Sequence, residues 1–211
     1  MIFSRVATLL VTLLSCSSYS IAESVTQQLS DLLKPLQSLS GQFTQTIADS
    51  DGEILQSSNG EFWVQRPGRL RWQTQAPYEQ LLVTNEENLW LYDPDLEQVT
   101  VKVADKSLQQ TPAAILSGDV ATLNDSYIIT RESGSIDNDL QEFSLKPIAD
   151  GALFEQLTLK FNRDDISSME LLDSLGQITT ISLTSITPNA EIDTSMFNFI
   201  APLGTDVLID D

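Results

Sequence analysis

Across residues 60–103 apolar and polar side chains alternate with a period of two, and the alternation breaks only where Pro, Gly, Asn or Asp can turn the backbone. The stretch contains all three tryptophans, Trp63, Trp72 and Trp90. Phe62, Val64 and Arg66 share one parity, so an extended strand sends all three side chains to the same face. An arginine therefore ends an apolar row, directly before Pro67 and Gly68 turn the chain. Beyond the turn Leu70 and Trp72 alternate with Arg69, Arg71 and Gln73. Leu81 and Val83, the run from Leu89 to Tyr92, and Val99, Val101 and Val103 follow, each bounded by turn residues. A chain written this way is held to an antiparallel meander with one aromatic and aliphatic face.

The amphipathic segments supply the complement. Val25, Leu29, Leu32, Leu33, Leu36 and Leu39 recur every three or four residues and predict one helical stripe over residues 24–39, kinked or broken at Pro35. Gly41 ends it, and residues 41–48 and 53–64 read as two strands around Asp49-Ser50-Asp51-Gly52. A calcium loop starting at Asp49 requires Glu at its twelfth position, where this chain has Gly60, so a hairpin turn is the expectation. A short helix is predicted from Thr111 as N-cap and Pro112 as first residue, with Ala113, Ile115 and Leu116 on its apolar side and Gly118 past its end. Strands resume at residues 127–131, 141–147, 154–161, 167–172 and 178–186, separated by turn signals at Asp150-Gly151, at 162–164 and at Leu175-Gly176. The alternation of Met196, Phe197, Asn198 and Phe199 and a short segment at 206–209 complete the series. The fold class is mainly β: an unclosed antiparallel β-barrel of about eleven strands, because a sheet of that length curls, with a few short helices over its concave face.

Composition bounds the function. Thirty acidic residues stand against eleven basic ones, a formal charge of −19. Such acidity argues against nucleic acid, whose phosphates call for clustered Lys and Arg, and against adsorption to anionic membrane. The absence of histidine removes Ser-His-Asp catalysis and every His-ligated metal site. No cofactor or metal ligand set is legible. A carboxylate pair of the glycosidase type stays open by count alone.

Residues 1–22 are expected to be a cleaved export signal: Arg5 is its positive region, residues 6–14 its apolar run, and Ser20-Ile21-Ala22 its cleavage site. The apolar run is shorter than the roughly 20 residues a membrane span needs. The alternative lies in Leu13-Leu14-Ser15-Cys16, a lipobox-like string that would make Cys16 an acylated N-terminus. With cleavage after Ala22, one domain of residues 23–211 remains and carries no cysteine, so its core alone must hold it.

Several strings resemble a known family. Phe43-Thr44-Gln45, Trp63-Val64-Gln65-Arg66-Pro67, Leu70-Arg71-Trp72, Leu89-Trp90-Leu91-Tyr92-Asp93-Pro94-Asp95-Leu96-Glu97-Gln98-Val99, Thr111-Pro112-Ala113 and Phe197-Asn198-Phe199 closely resemble the bacterial outer-membrane lipoprotein carriers, the LolA family. The likeness runs from about Glu23 to the C-terminus and is weaker after Asp119. Asn85-Glu86-Glu87-Asn88 replaces the commoner Asp-Gly turn, and Pro35 interrupts the first helix.

The resemblance implies a helical lid over a hydrophobic cavity in a monomeric, non-enzymatic protein of the Gram-negative periplasm. It implies that lipoproteins are carried by their acyl chains from an inner-membrane ABC lipoprotein-releasing complex to an outer-membrane receptor. Sequestering acyl chains gains about 0.8 kcal/mol per CH₂, and Phe62, Val64, Leu70, Trp72, Val83, Val99, Ile115 and Leu116 are the expected lining. Each is equally compatible with an ordinary core. Arg66 has two readings: a strand-end arginine reaching to solvent, or a donor to the orphan carbonyls of the helix around residues 113–116. The family places its lid-closing arginine at this position. Arg69 and Arg71, on the other parity, are expected outward and solvated. The rival functions are a receptor of the same fold anchored through Cys16, and a carboxylate-based hydrolase.

The export reading is checked by the intact mass of the exported chain. A start at Glu23 without lipid is expected, and an acylated Cys16 overturns it.

Overall fold

The computed structural model describes residues 24–104, 112–118, 120–132, 139–149, 152 and 154–210. The leader with Ala22 and Cys16, the polar run 105–110, the cap at Thr111 and the Asp150-Gly151 turn lie outside the described residues.

The first helix, α1, spans Val25–Leu33. Ser24 opens it: its backbone is extended, and its Oγ accepts from the Gln27 N–H at 3.1 Å, which satisfies one of the amides a helix start leaves orphaned. The helix stops at Leu33, so the stripe is broken at Pro35 and its last part, to Leu39, is not helical. Pro35 has no N–H, and its ring would meet the carbonyl four residues back if the helix continued. Leu36 N–H bonds instead to the Leu33 carbonyl and Gln37 N–H to that of Pro35. The chain then extends as β1 (Ser38–Ala48), so Leu39 is buried from a strand and not from the helical stripe.

The remaining strands are β2 (Ile54–Gln65), β3 (Arg69–Ala76), β4 (Gln80–Asn85), β5 (Asn88–Asp93) and β6 (Gln98–Val103) in the first half. After α2 (Pro112–Ser117), a 3-10 turn (Val120–Thr122) and α3 (Leu123–Ser126) come β7 (Tyr127–Arg131), β8 (Leu140–Pro147), β9 (Gln156–Asn162), β10 (Asp165–Leu172), β11 (Ile178–Pro188) and β12 (Asp206–Asp210). Asp49 Oδ1 accepts from the N–H groups of Asp51 and Glu53, and Gly52 takes a positive φ, so the β1–β2 link is a hairpin turn.

All twelve strands form one sheet in the order β12-β6-β5-β4-β3-β2-β1-β11-β10-β9-β8-β7. Two meanders lie back to back and meet where β1 pairs β11. With β12 at one edge and β7 at the other, the barrel is not closed. One pairing departs from the antiparallel expectation: β12 runs parallel to β6, Asp206 beside Gln98 through Asp210 beside Lys102. Bulges at Ser40/Gln42, Ile47/Ala48, Asn59/Gly60 and Ile166/Ser168 add local twist and bend the long strands.

The concave face carries one continuous apolar cluster. Phe43 from β1, Phe62 and Val64 from β2, Leu70 and Trp72 from β3, and Phe143, Leu157, Phe161 and Met169 from the other meander meet Leu29 and Leu33 of α1, Ile115 and Leu116 of α2 and Leu123 of α3. At its centre the Trp72 ring stacks on Phe43 at 4.1 Å and on Phe62 at 5.5 Å. Two glycines make the stack possible. Gly60 lies opposite Phe43 and Gly41 opposite Phe62 across the β1–β2 ladder. A Cβ on Gly60 would stand 1.9 Å from the Gln73 carbonyl oxygen and 2.8 Å from the Phe43 ring.

The convex face of β3–β6 is covered from the C-terminal side. The segment 189–205 leaves β11 beside β1 and reaches β6, so it crosses the intervening strands. Its start is held by Gln37 N–H to Asn189 Oδ1 and Ser38 Oγ to the Ala190 carbonyl. Residues 196–199, whose alternation suggests a strand, instead end a 3-10 turn (Thr194–Phe197) capped by Asp193, whose carboxylate accepts from the Ser195 N–H. That bond holds the Asp193 pKa below the ordinary carboxylate value. The turn lies against β3 and β4, Phe197 is buried, and the Phe199 ring sits 5.4 Å from Tyr92.

Two substitutions test these layers by urea unfolding. Gly60→Ala should cost about 1–3 kcal/mol or more through overpacking, and an unchanged midpoint would deny that the aromatic stack needs the bare backbone. Phe197→Ala should cost roughly 3–5 kcal/mol, and a loss under 1 kcal/mol would show the crossing segment to be loosely laid.

Candidate functional site

Arg66 follows the last residue of β2 in the turn 66–68, and its main-chain N–H bonds to the Gln37 carbonyl. Its guanidinium projects between two helix ends. Nη1 donates to the Leu33 carbonyl at 2.7 Å, Nε to that of Leu116 at 2.9 Å, and Nη2 to that of Ile115 at 3.4 Å. A helix leaves its last carbonyls without partners inside the helix, and the negative end of its dipole lies there. One cation thus serves the C-terminal ends of both α1 and α2. The same turn adds a main-chain bond, Gly68 N–H to the Ser117 carbonyl at 2.8 Å. Gly68 has φ +66°, the left-handed backbone that glycine adopts without strain. The planar fork of arginine suits several carbonyls at once, which the ammonium of lysine does not match.

Beneath this junction Phe62, Val64, Leu70, Trp72, Ile115 and Leu116 come together in the concave cluster, with Phe62 and Leu70 at 0 % exposure. Val83 and Val99 do not join them. Val83 pairs with Arg71 and with Trp90, and Val99 with Tyr92, which puts both on the convex face beneath the C-terminal crossing. They are fully buried there, against a cover that alternation within a single strand does not reveal. Hydrophobicity and spacing mark such residues as buried, but which face is concave is a property of the whole sheet.

The neighbouring arginines differ from their sequence reading as well. Arg69 is not merely solvated: it pairs with Glu86 at 2.9 Å and donates to Gln65 Oε1 at 3.3 Å. The Glu86 pair is half-exposed and contributes about 0–1 kcal/mol. Arg71 is partly buried, its Nη1 reaches the Met196 carbonyl at 3.4 Å, and burial pulls its pKa below the ordinary arginine value.

Sequence reasoning overlooked the Leu33 carbonyl as a second acceptor for Arg66. The available signal was Pro35, which forces α1 to end near Leu33 and leaves that carbonyl at a helix terminus. It also overlooked the share of the cluster supplied by β8–β10. There, Phe143 with Leu145 and Leu157, Leu159 with Phe161 carry the same period-two pattern as β2 and β3.

Among the described residues no group of three or more Cys, Asp or Glu side chains is disposed to hold a metal. No helix among them is long and apolar enough to cross a membrane. The arrangement is an apolar interior with two short helices over it and one arginine bonded to the ends of both.

Comparison with known proteins agrees with this architecture. Residues 34–200 match the family described as outer membrane lipoprotein carrier protein LolA. An outer-membrane lipoprotein carrier protein of Azotobacter vinelandii is 41% identical over 204 residues, covering 94% of this chain and 97% of the relative. One from Pseudomonas paraeruginosa is 41% identical over 182 residues, 86% of each. Both relatives are named as carriers and not as enzymes. In fold, a LolA superfamily protein from Nitrosomonas europaea superposes with a TM-score of 0.50 at 12% identity over 83% of this chain and 96% of the other. An uncharacterised conserved protein from Thermus thermophilus gives 0.54 at 11%, over 89% and 100%. With an open twelve-stranded sheet, helices across its concave face and a family match over most of its length, the chain belongs to the LolA family of outer-membrane lipoprotein carriers.

Proposed function

We propose that the protein is a periplasmic lipoprotein chaperone, whose mature chain of residues 23–211 acts as a monomer. It takes the acyl chains of lipoproteins from an inner-membrane ABC releasing complex into its concave core and passes them to an outer-membrane receptor. The observation that carries this reading is the Arg66 clasp across the C-terminal ends of α1 and α2.

In the structure the core is filled by its own side chains, so acyl chains must displace the helices to reach Leu70 and Trp72. Each hydrogen bond to a charged group is worth about 1.5–3 kcal/mol, so two or three of them amount to roughly 3–9 kcal/mol. That offsets the burial of about four to eleven CH₂ groups at ~0.8 kcal/mol each. A carrier with no energy source of its own needs such a balance. Cargo entry breaks the clasp, and the cost of those bonds lowers net retention enough for release, while re-forming them favours the closed, empty state. Arg66 is therefore the lid-closing residue, and Phe62, Val64, Leu70, Trp72, Ile115 and Leu116 are the acyl-contacting set. Val83 and Val99 support the sheet from behind.

Two measurements test the reading. Arg66→Leu should stay folded and accept cargo yet fail to hand it to a receptor in a loaded-carrier transfer assay, with Arg66→Lys between it and the parent. Normal transfer by the leucine variant removes the clasp from the mechanism. Leu70→Glu should reduce binding of a fatty-acyl fluorescent probe by about tenfold or more, since a charge in an apolar site is strongly disfavoured. Undiminished binding with the fold intact places the acyl site elsewhere.

A further inference from the structure

A groove of about 710 Å³ opens at the rim between α1 and the second meander, lined by Asp31, Leu32, Leu36, Asp164, Asp165 and Pro188 among others. The ladder between β10 and β11 explains it. These strands pair only from Ser168 beside Ser182 to Leu172 beside Ile178, although β10 begins at Asp165 and β11 continues to Pro188. Beyond Ser182, β11 stays with β1, shifting register at the Ser40/Gln42 bulge, and Ser185 takes a positive φ. The two strands therefore diverge toward the rim, and the side of β11 that faced β10 is left without a strand partner from Leu183 onward among the described residues. Such an edge is a template for one more strand.

Two features specify the occupant. First, Leu32, Leu36 and Ile186 pack against the concave cluster, and Leu32 and Leu36 also line the groove, so its apolar floor is continuous with the core. Second, its ionised lining is three carboxylates, Asp31, Asp164 and Asp165, against one guanidinium. That guanidinium, Arg131, donates to Gln28 Oε1 at 2.9 Å and lies over the Phe143 ring. The free edge of β11 leads into the groove at Pro188 and Asn189. An extended segment running out of the groove along residues 187–183 therefore meets main-chain groups on one side, after apolar contact below and a negative rim within it.

We propose that this groove holds the polypeptide tether of the cargo, the extended stretch that follows its acylated terminus. The tether adds as a strand to β11 at residues 183–188, with a preference for tethers bearing Lys or Arg over tethers bearing Asp or Glu. The inference rests on the carrier reading above: with the acyl chains in the core, the groove is where the attached peptide leaves it.

The test uses the whole mature protein and synthetic lipopeptides with one triacylated cysteine and ten-residue tethers that are basic, neutral or acidic. A fatty-acyl probe and the same peptides without lipid serve as controls. The basic tether should bind about tenfold tighter than the acidic one, a difference that shrinks with salt. N-methylation of alternate tether amides should weaken binding by a similar factor, of order tenfold, through lost strand pairing. The exposed pair Asp164→Lys with Asp165→Lys should reverse the charge preference and leave the acyl probe unaffected. Equal binding of all tethers, with the probe still bound, overturns the groove and spares the carrier reading. Peptides that bind as tightly without lipid make the occupant a soluble partner and overturn the cargo assignment. Failure of the acyl probe itself overturns the carrier reading and the tether with it.

Discussion

An open sheet with an apolar concave face must keep water off that face without closing on itself. Among the described residues twelve strands leave two free edges, so their hydrogen-bonding pattern does not seal the interior. The seal has to come from side chains and from short helices laid across them. This requirement accounts for the bare backbone at Gly41 and Gly60, which lets Phe43, Phe62 and Trp72 lie together at the centre of the curve. It also accounts for helices only nine and six residues long, which are too short to be stable alone. They hold their shape through packing and through what satisfies their ends.

Arg66 works at that weak point. A short helix has nearly as many orphan carbonyls as bonded ones, so a single cation at two C-termini has unusual leverage over the cover. Its three bonds are part-buried and lie at the helix ends, not among the apolar side chains of the cluster. Apolar packing of α1 and α2 alone would leave the last carbonyls of both helices without partners. The charged hydrogen bonds of Arg66 supply those partners locally, at the two helix ends.

The convex face follows the opposite logic. Val83 and Val99 are as well buried as any residue of the concave cluster, yet they lie beneath a crossing segment fastened by Phe197, by the Phe199–Tyr92 contact and by strand β12. That side has no clasp between two helix ends. The exposed edge strand β12 carries Asp206 and Asp210, the second paired with Lys102 of β6 at 2.7 Å, and charged side chains on an edge discourage a further chain from pairing. One sheet thus carries two short helices joined through one arginine on one face and a strap on the other.

Much of this was written locally. Period-two alternation in residues 60–103 determined the meander, Pro35 determined where α1 must fail, and the arginine before Pro67 and Gly68 was placed at a strand end on the parity of Phe62 and Val64. These follow from backbone sterics and side-chain period, which a short window already contains. What the window could not contain was curvature and long-range neighbours. Alternation assigns residues to two faces but does not say which is concave, so Val83 and Val99 read like Leu70 and Trp72. The parallel pairing of β12 with β6, the burial of Arg71 beneath residues 194–197, and the second acceptor at Leu33 each join positions tens of residues or more apart in sequence. Only the closed tertiary arrangement brings them within hydrogen-bonding distance, because it alone decides which strand edges meet and what lies over each face.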